Sequence, residues 1–227
     1  MKRKFIKKTV SALLSVILIF TLTFGISAHE MYYTSSGSPV TLRWSVLSNG
    51  KCYIKINGDK INSSGNFSVY NQQYNNCKYA WSNSISSLIT IVEEDNFTTS
   101  NVDVATATES YWDSMFDTDN YYSISAFTRL SDTNNNAVTN LTSAINSTGN
   151  IDYAAIFMSP FVAGFGGDNT YIKRIIVHEI GHALTLGHPN TIYYPVNDAS
   201  VMRQDDDEAT YYTPRTHDIN DIMAKYD

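Results

Sequence analysis

Between residues 51 and 57 apolar and polar positions alternate, with Cys52, Ile54 and Ile56 set against Lys51, Tyr53 and Lys55. A period of two marks a strand with one buried face. A second apolar run, residues 40–46, precedes it, and Asn49-Gly50 between the two is a hairpin signal. Over residues 68–88 the period changes. Tyr70, Tyr74, Cys77, Trp81, Ile85 and Leu88 recur at steps of three and four and predict one helix with one apolar face. Residues 89–92 and 102–106 read as strands, as do 121–130 and 151–159. The segment 131–150 is polar, with room for a short helix, and 164–169 is a glycine-rich loop. A helix then spans residues 170–186, its buried side supplied by Ile172, Ile175, Ile176, Ile180, Ala183 and Leu184. Strands, helix, strands, helix is the order of an α+β domain with a mixed sheet.

The longest apolar run, residues 10–26, has a different meaning. It follows Lys2, Arg3, Lys4, Lys7 and Lys8 and ends in Ser27-Ala28. Basic, apolar and small-residue regions in that order read as a secretory signal peptide, with cleavage expected after Ala28. The competing reading, a retained membrane anchor, is weakened by the shortness of the run and by Thr21, Thr23 and Gly25 within it. The expected organisation is residues 1–28 as signal, 29–39 as a polar tail and 40–227 as one domain.

Composition enters through charge and cysteine. The whole chain has 16 basic and 22 acidic residues, and the signal carries 5 of the basic ones and no acid. The mature chain therefore holds 11 basic against 22 acidic residues, a net charge of −11. Such a surface argues against nucleic acid or an anionic membrane as partner. The mature chain is expected to be soluble and monomeric. Its short, lysine-rich signal suggests a bacterial source. The two cysteines, Cys52 and Cys77, face inward on their strand and helix. In an exported protein they are expected to form a disulfide if that helix packs on that strand, stabilising by roughly 3 kcal/mol in the chain-entropy model. Two reduced, buried thiols are the alternative.

The chemistry sits at residues 178–188. His178 and His182 lie four apart in the predicted helix, on one face, where they can share a metal ion. Glu179 beside the first is placed as general base on a metal-bound water. His188 adds a third ligand and leaves one position open, the pattern of a hydrolytic zinc site. In a continuous helix His188 would stand about 240° around from His182, so the chain must turn out between them. Gly187 is the residue expected to take the left-handed conformation there, with Pro189 blocking further helix. In a competing reading His188 is a surface histidine and one of Asp205, Asp206, Asp207 or Glu208 is the third ligand. Those four acids otherwise read as a solvated loop, or as a Ca2+ site. His29 and His217 are expected to be unconnected with the metal.

These residues resemble the metzincin zinc peptidases, and within them the matrixin-like group, whose motif is H-E-x-x-H-x-x-G-x-x-H. His178, Glu179, His182 and His188 match it, and Thr185 stands where the glycine belongs. Ser200-Val201-Met202 is similar to the family's methionine turn, with Met202 a support rather than a reactant. Residues 218–226 are similar to the closing helix of matrixin catalytic domains. The resemblance covers residues 40–227 in element order and is specific over 170–226. It implies a mostly parallel, twisted sheet with a backing helix and an active-site helix, one catalytic Zn2+, and a secreted endopeptidase acting on protein or peptide. It also implies that the strand within 121–130 is the sheet edge that pairs with an extended substrate. A cysteine switch is missing, and Gln204 stands where some members place a tyrosine. A zinc-bound adhesion protein on the same fold is the alternative function, and retention of Glu179 argues against it. A thermolysin-like peptidase with an acidic third ligand is the other.

Overall fold

A computed structural model describes residues 32–33, 39–40, 43–44, 47–48, 51–62, 67–116, 124–132, 134, 137, 150–161, 169–188, 199–203 and 211–226. The segment 1–28 expected to be a signal, the acids at 205–208, Gln204, His29 and most of 131–150 lie outside them. In chain order the elements are β1 (Tyr32–Tyr33), β2 (Pro39–Val40), β3 (Arg43–Trp44), β4 (Leu47–Ser48) and β5 (Lys51–Lys60), then helices α1 (Ser68–Cys77) and α2 (Ala80–Ser84). Strands β6 (Ile89–Glu93) and β7 (Val102–Thr106), helix α3 (Glu109–Met115), and strands β8 (Ala126–Ser131), β9 (Asn150–Ile151) and β10 (Tyr153–Met158) follow. Helices α4 (Asn169–Ala183) and α5 (Thr216–Tyr226) close the chain.

The fold is α+β around a mostly parallel sheet. β6, β5, β7 and β10 run parallel to one another in that order, and β8 joins antiparallel at the β10 edge. β4 pairs antiparallel with the start of β5, Ser48 opposite Lys51, as the Asn49-Gly50 signal requires. The apolar run at 40–46 divides between β2, which pairs with β1, and β3, which pairs with β9. The segment expected to be a polar tail thus carries a short ladder.

Alternation in β5 buries Cys52, Ile54 and Ile56 on one face. Helices α1 and α4 pack together there, and α4 crosses β8 and β10. Tyr70, Tyr74 and Cys77 of α1, Trp81 of α2, and Ile172, Ile176 and Ile180 of α4 complete that core. The other face is covered at its β8 end by α3. Trp112 and Phe116 pack on Phe127, which stacks on its cross-strand neighbour Phe157.

The helix expected over 68–88 is broken in two. The interruption falls at Lys78-Tyr79, where Tyr79 leaves the helical conformation with φ −97° and ψ 8°. Beyond it, Trp81 donates its indole N–H to the Val177 carbonyl, 2.8 Å away in α4.

The expected disulfide is not formed. Cys52 and Cys77 are both buried and free. Cys77 lies 3.8 Å from the Lys173 carbonyl, near the start of α4. Cys52 contacts Tyr226, whose hydroxyl bonds the Leu184 carbonyl beyond the other end of α4. Eleven residues of chain separate those two stations, about 16 Å at the helical rise, so facing one core does not bring the sulfurs together. Burial pushes both thiols up to about 12.

Candidate metal centre

Helix α4 carries its apolar stripe, Ile172, Ile176 and Ile180, against the core, and His178 and His182 lie about 140° around the helix from it. The helix ends at Ala183, and residue 185 takes the left-handed conformation, with φ 72°. The Leu186 amide bonds the Gly181 carbonyl at 3.0 Å, and the Thr185 amide bonds that of His182 at 2.8 Å. These are the two hydrogen bonds of a Schellman motif with Thr185 at its left-handed position. The turn therefore falls on Thr185, and not on Gly187 as the sequence suggested. A β-branched residue there costs of order 1–3 kcal/mol in backbone strain. The remaining carbonyls at this end are also bonded. That of Ala183 accepts the Trp44 indole N–H at 2.9 Å, and that of Leu184 accepts the Tyr226 hydroxyl at 3.2 Å. The Thr185 carbonyl accepts the Lys225 ammonium.

The turn brings His188 back over the helix. Its Nε2 stands 3.1 Å from Nε2 of His178 and 3.0 Å from Nε2 of His182. Nδ1 of His178 lies 2.8 Å from the Val201 carbonyl, and Nδ1 of His182 lies 2.7 Å from that of Leu186. A carbonyl accepts only, so each Nδ1 is assigned the proton and each Nε2 a bare lone pair. A single N–H on His188 would have to serve two acceptors at once. A cation at the centre satisfies all three nitrogens. Tetrahedral coordination at 2.0–2.1 Å sets nitrogens about 3.3–3.4 Å apart, close to the spacing found. The three residues could therefore hold a metal ion. Burial, and then the neighbouring His182 and His188, hold His178 well below the usual imidazole range, which keeps it in the neutral, ligating form.

Glu179 is buried, and burial pushes its carboxyl up to about 7. Its Oε2 accepts the hydroxyl of Thr128 at 2.6 Å, and the same hydroxyl lies 3.0 Å from the Glu179 carbonyl. Thr128 belongs to β8, so the sheet edge is tied directly to the candidate base.

Beneath the histidines lies the segment Ser200-Val201-Met202. Met202 is fully buried against α4, where Gly181 gives it room: a Cβ on Gly181 would lie 2.3 Å from Met202 Sδ and 2.8 Å from the Trp81 ring. Asp218, wholly buried at the start of α5, accepts the Ser200 hydroxyl, the Val201 amide at 3.0 Å and the Arg215 amide at 2.7 Å. It thereby fixes the carbonyl that orients His178. Arg174 donates to the Arg203 carbonyl at 2.9 Å. His217 stands apart from the triad, 3.6 Å from Asp221.

Thr128, Asp218 and Trp44 were not singled out by the sequence reading. An acid in the first turn of a helix signals only a cap, and Asp218 does cap α5 while also reaching the 200–202 segment. Thr128 and Trp44 carry no local signal, because their partners are 51 and 139 residues away. Compared with known proteins, the chain matches no family model and no curated sequence.

Proposed function

We propose that this protein is a secreted, matrixin-like zinc endopeptidase that acts as a monomer on protein or peptide substrates. The observation that carries the reading is the convergence of three Nε2 atoms beside a buried glutamate, with the tautomers of His178 and His182 set by backbone carbonyls. Borderline-soft zinc suits an all-imidazole set, and three protein ligands leave one position open. Bound there, zinc supplies Lewis-acid polarisation and acidifies a coordinated water.

The residues of the chain do the rest. His178 and His182 present fixed lone pairs because Val201 and Leu186 hold their far nitrogens. Glu179 takes up a proton at its carboxylate and returns it to the departing amine. The Thr128 hydroxyl holds Oε2 in place and favours the ionised form. β8 lies at the edge of the sheet with Thr128 on it, so an extended substrate pairing there would pass the base. Met202 supports the floor and takes no part in the reaction.

The deciding experiment is zinc content and casein cleavage in wild type and Glu179→Ala. One zinc per chain in both, with cleavage in wild type alone, is expected. Zinc in both with cleavage in neither leaves a peptidase too selective for casein or the binding-protein alternative, and a folded wild type without zinc overturns the reading.

A further inference from the structure

Thr185 poses a local problem. It holds a left-handed conformation that glycine adopts freely, and the third histidine of the triad lies three residues beyond it. Any relaxation of Thr185 towards an ordinary backbone would redirect the chain that carries His188. Something must hold it, and the last turn of α5 does so. The Lys225 ammonium donates both to the Thr185 carbonyl and, at 2.9 Å, to its Oγ1. Two contacts on one residue fix the peptide plane and the side-chain rotamer together. Tyr226 adds its hydroxyl to the preceding carbonyl, that of Leu184. The clamp is made by side chains 40 and 42 residues away in sequence, and neither touches a histidine of the triad in the contacts described.

We infer that Lys225 is a positioning residue: by gripping Thr185 in the left-handed turn it keeps His188 aimed at the metal, replacing in this chain the freedom a glycine would give. The role is conditional. Lys225 matters because residue 185 is threonine, and it should cease to matter when residue 185 is glycine. That interdependence separates the inference from a general packing role for α5. It rests on the reading of the three histidines as a metal site and not on the identity of the substrate.

The test is a two-by-two comparison of wild type, Lys225→Met, Thr185→Gly and the double variant. Zinc affinity is measured by competition with a chromogenic chelator, and the visible spectrum of the Co2+ form reports the ligand set. Lys225→Met is expected to weaken zinc binding by about tenfold, the usual effect of losing a residue that orients a ligand, and to shift the Co2+ spectrum. Thr185→Gly should bind zinc at least as well as wild type. The double variant should return to within about twofold of Thr185→Gly, with the wild-type spectrum. Equal losses from Lys225→Met in both backgrounds overturn the inference, as does a folded Lys225→Met protein with wild-type affinity and spectrum. If Lys225→Met does not fold, folding of the double variant supports the inference and its failure to fold overturns it. Casein cleavage by wild type keeps the two readings apart. Zinc binding without casein cleavage counts against a general peptidase and leaves the comparison intact, whereas a wild type without zinc sinks both.

Discussion

Thr128 shows how much of the site's behaviour hangs on one hydroxyl. Burial raises the Glu179 carboxyl, and the Thr128 hydrogen bond opposes that rise by stabilising the ionised form. Thr128→Val removes the donor and leaves the volume nearly unchanged. A hydrogen bond to a charged group is worth about 1.5–3 kcal/mol, so kcat/KM on a peptide substrate should fall by at least about tenfold. The sign of the pH effect is fixed as well. Without the bond the carboxyl is harder to ionise, so the acid limb of the pH–rate profile should move to higher pH. A profile that stays in place would mean that Thr128 has no hold on the base. At this scale the candidate site was legible only in part. His178, Glu179, His182 and His188 could be read because their spacing follows from helix geometry and one turn. Thr185 was visible as a departure, but its conformation was not, because the Lys225 clamp that accompanies it comes from another element. The cysteines misled for a related reason: periodicity states which face a residue occupies and not where along that face it sits.

Among the elements, period carried the reading wherever one packing partner dominated. β5, β6, β7 and α4 lie where alternation or a 3.6-residue stripe placed them, within a few residues. The single helix over 68–88 failed because its stripe continues unbroken through a turn, so the apolar pattern outlasts the helix itself. Helix α3 was overlooked although it has a signal. Thr108 accepts the Tyr111 amide as an N-cap, Glu109 follows in the first turn, and Trp112 and Phe116 stand four apart. The contact between α4 and the methionine segment offers a test. Gly181→Ala would gain about 1 kcal/mol of helix propensity but forces Met202 and Trp81 aside, at a typical overpacking cost of about 1–3 kcal/mol. A net loss of stability is expected, with a Tm lower by about 2–4 °C for each kcal/mol lost. Calorimetry on the zinc-loaded protein measures it. An unchanged or higher Tm would show that Met202 can move without consequence.

For the molecule as a whole, the proposed zinc would compete with protons for the same nitrogens. Zinc binds only deprotonated imidazole, so its affinity is flat above the triad's range of titration and falls below it. Burial depresses His178, so the part of that fall due to His178 should come below the ordinary imidazole value of about 6.5. At free zinc 100-fold above Kd the folded state gains about 2.7 kcal/mol. Adding EDTA should therefore lower Tm clearly at pH 7.5, and the gap between the two melting curves should close on acidification to pH 5. A gap that persists unchanged would mean that zinc does not sit on these imidazoles. The proposed ligands and base occupy one short stretch, 178–188, whereas their supports are scattered: Trp44 near the start of the described chain, Thr128 on the sheet edge, the carbonyl of Val201, and Asp218 and Lys225 in the final helix. This division has a genetic consequence. In a saturation library selected for activity, null alleles should not gather around the motif alone but should recur at isolated codons from one end of the reading frame to the other. The codons for Leu186 and Val201 should tolerate apolar residues of similar size and shape, since what they lend to the histidines is a main-chain carbonyl, which no single-codon change can delete.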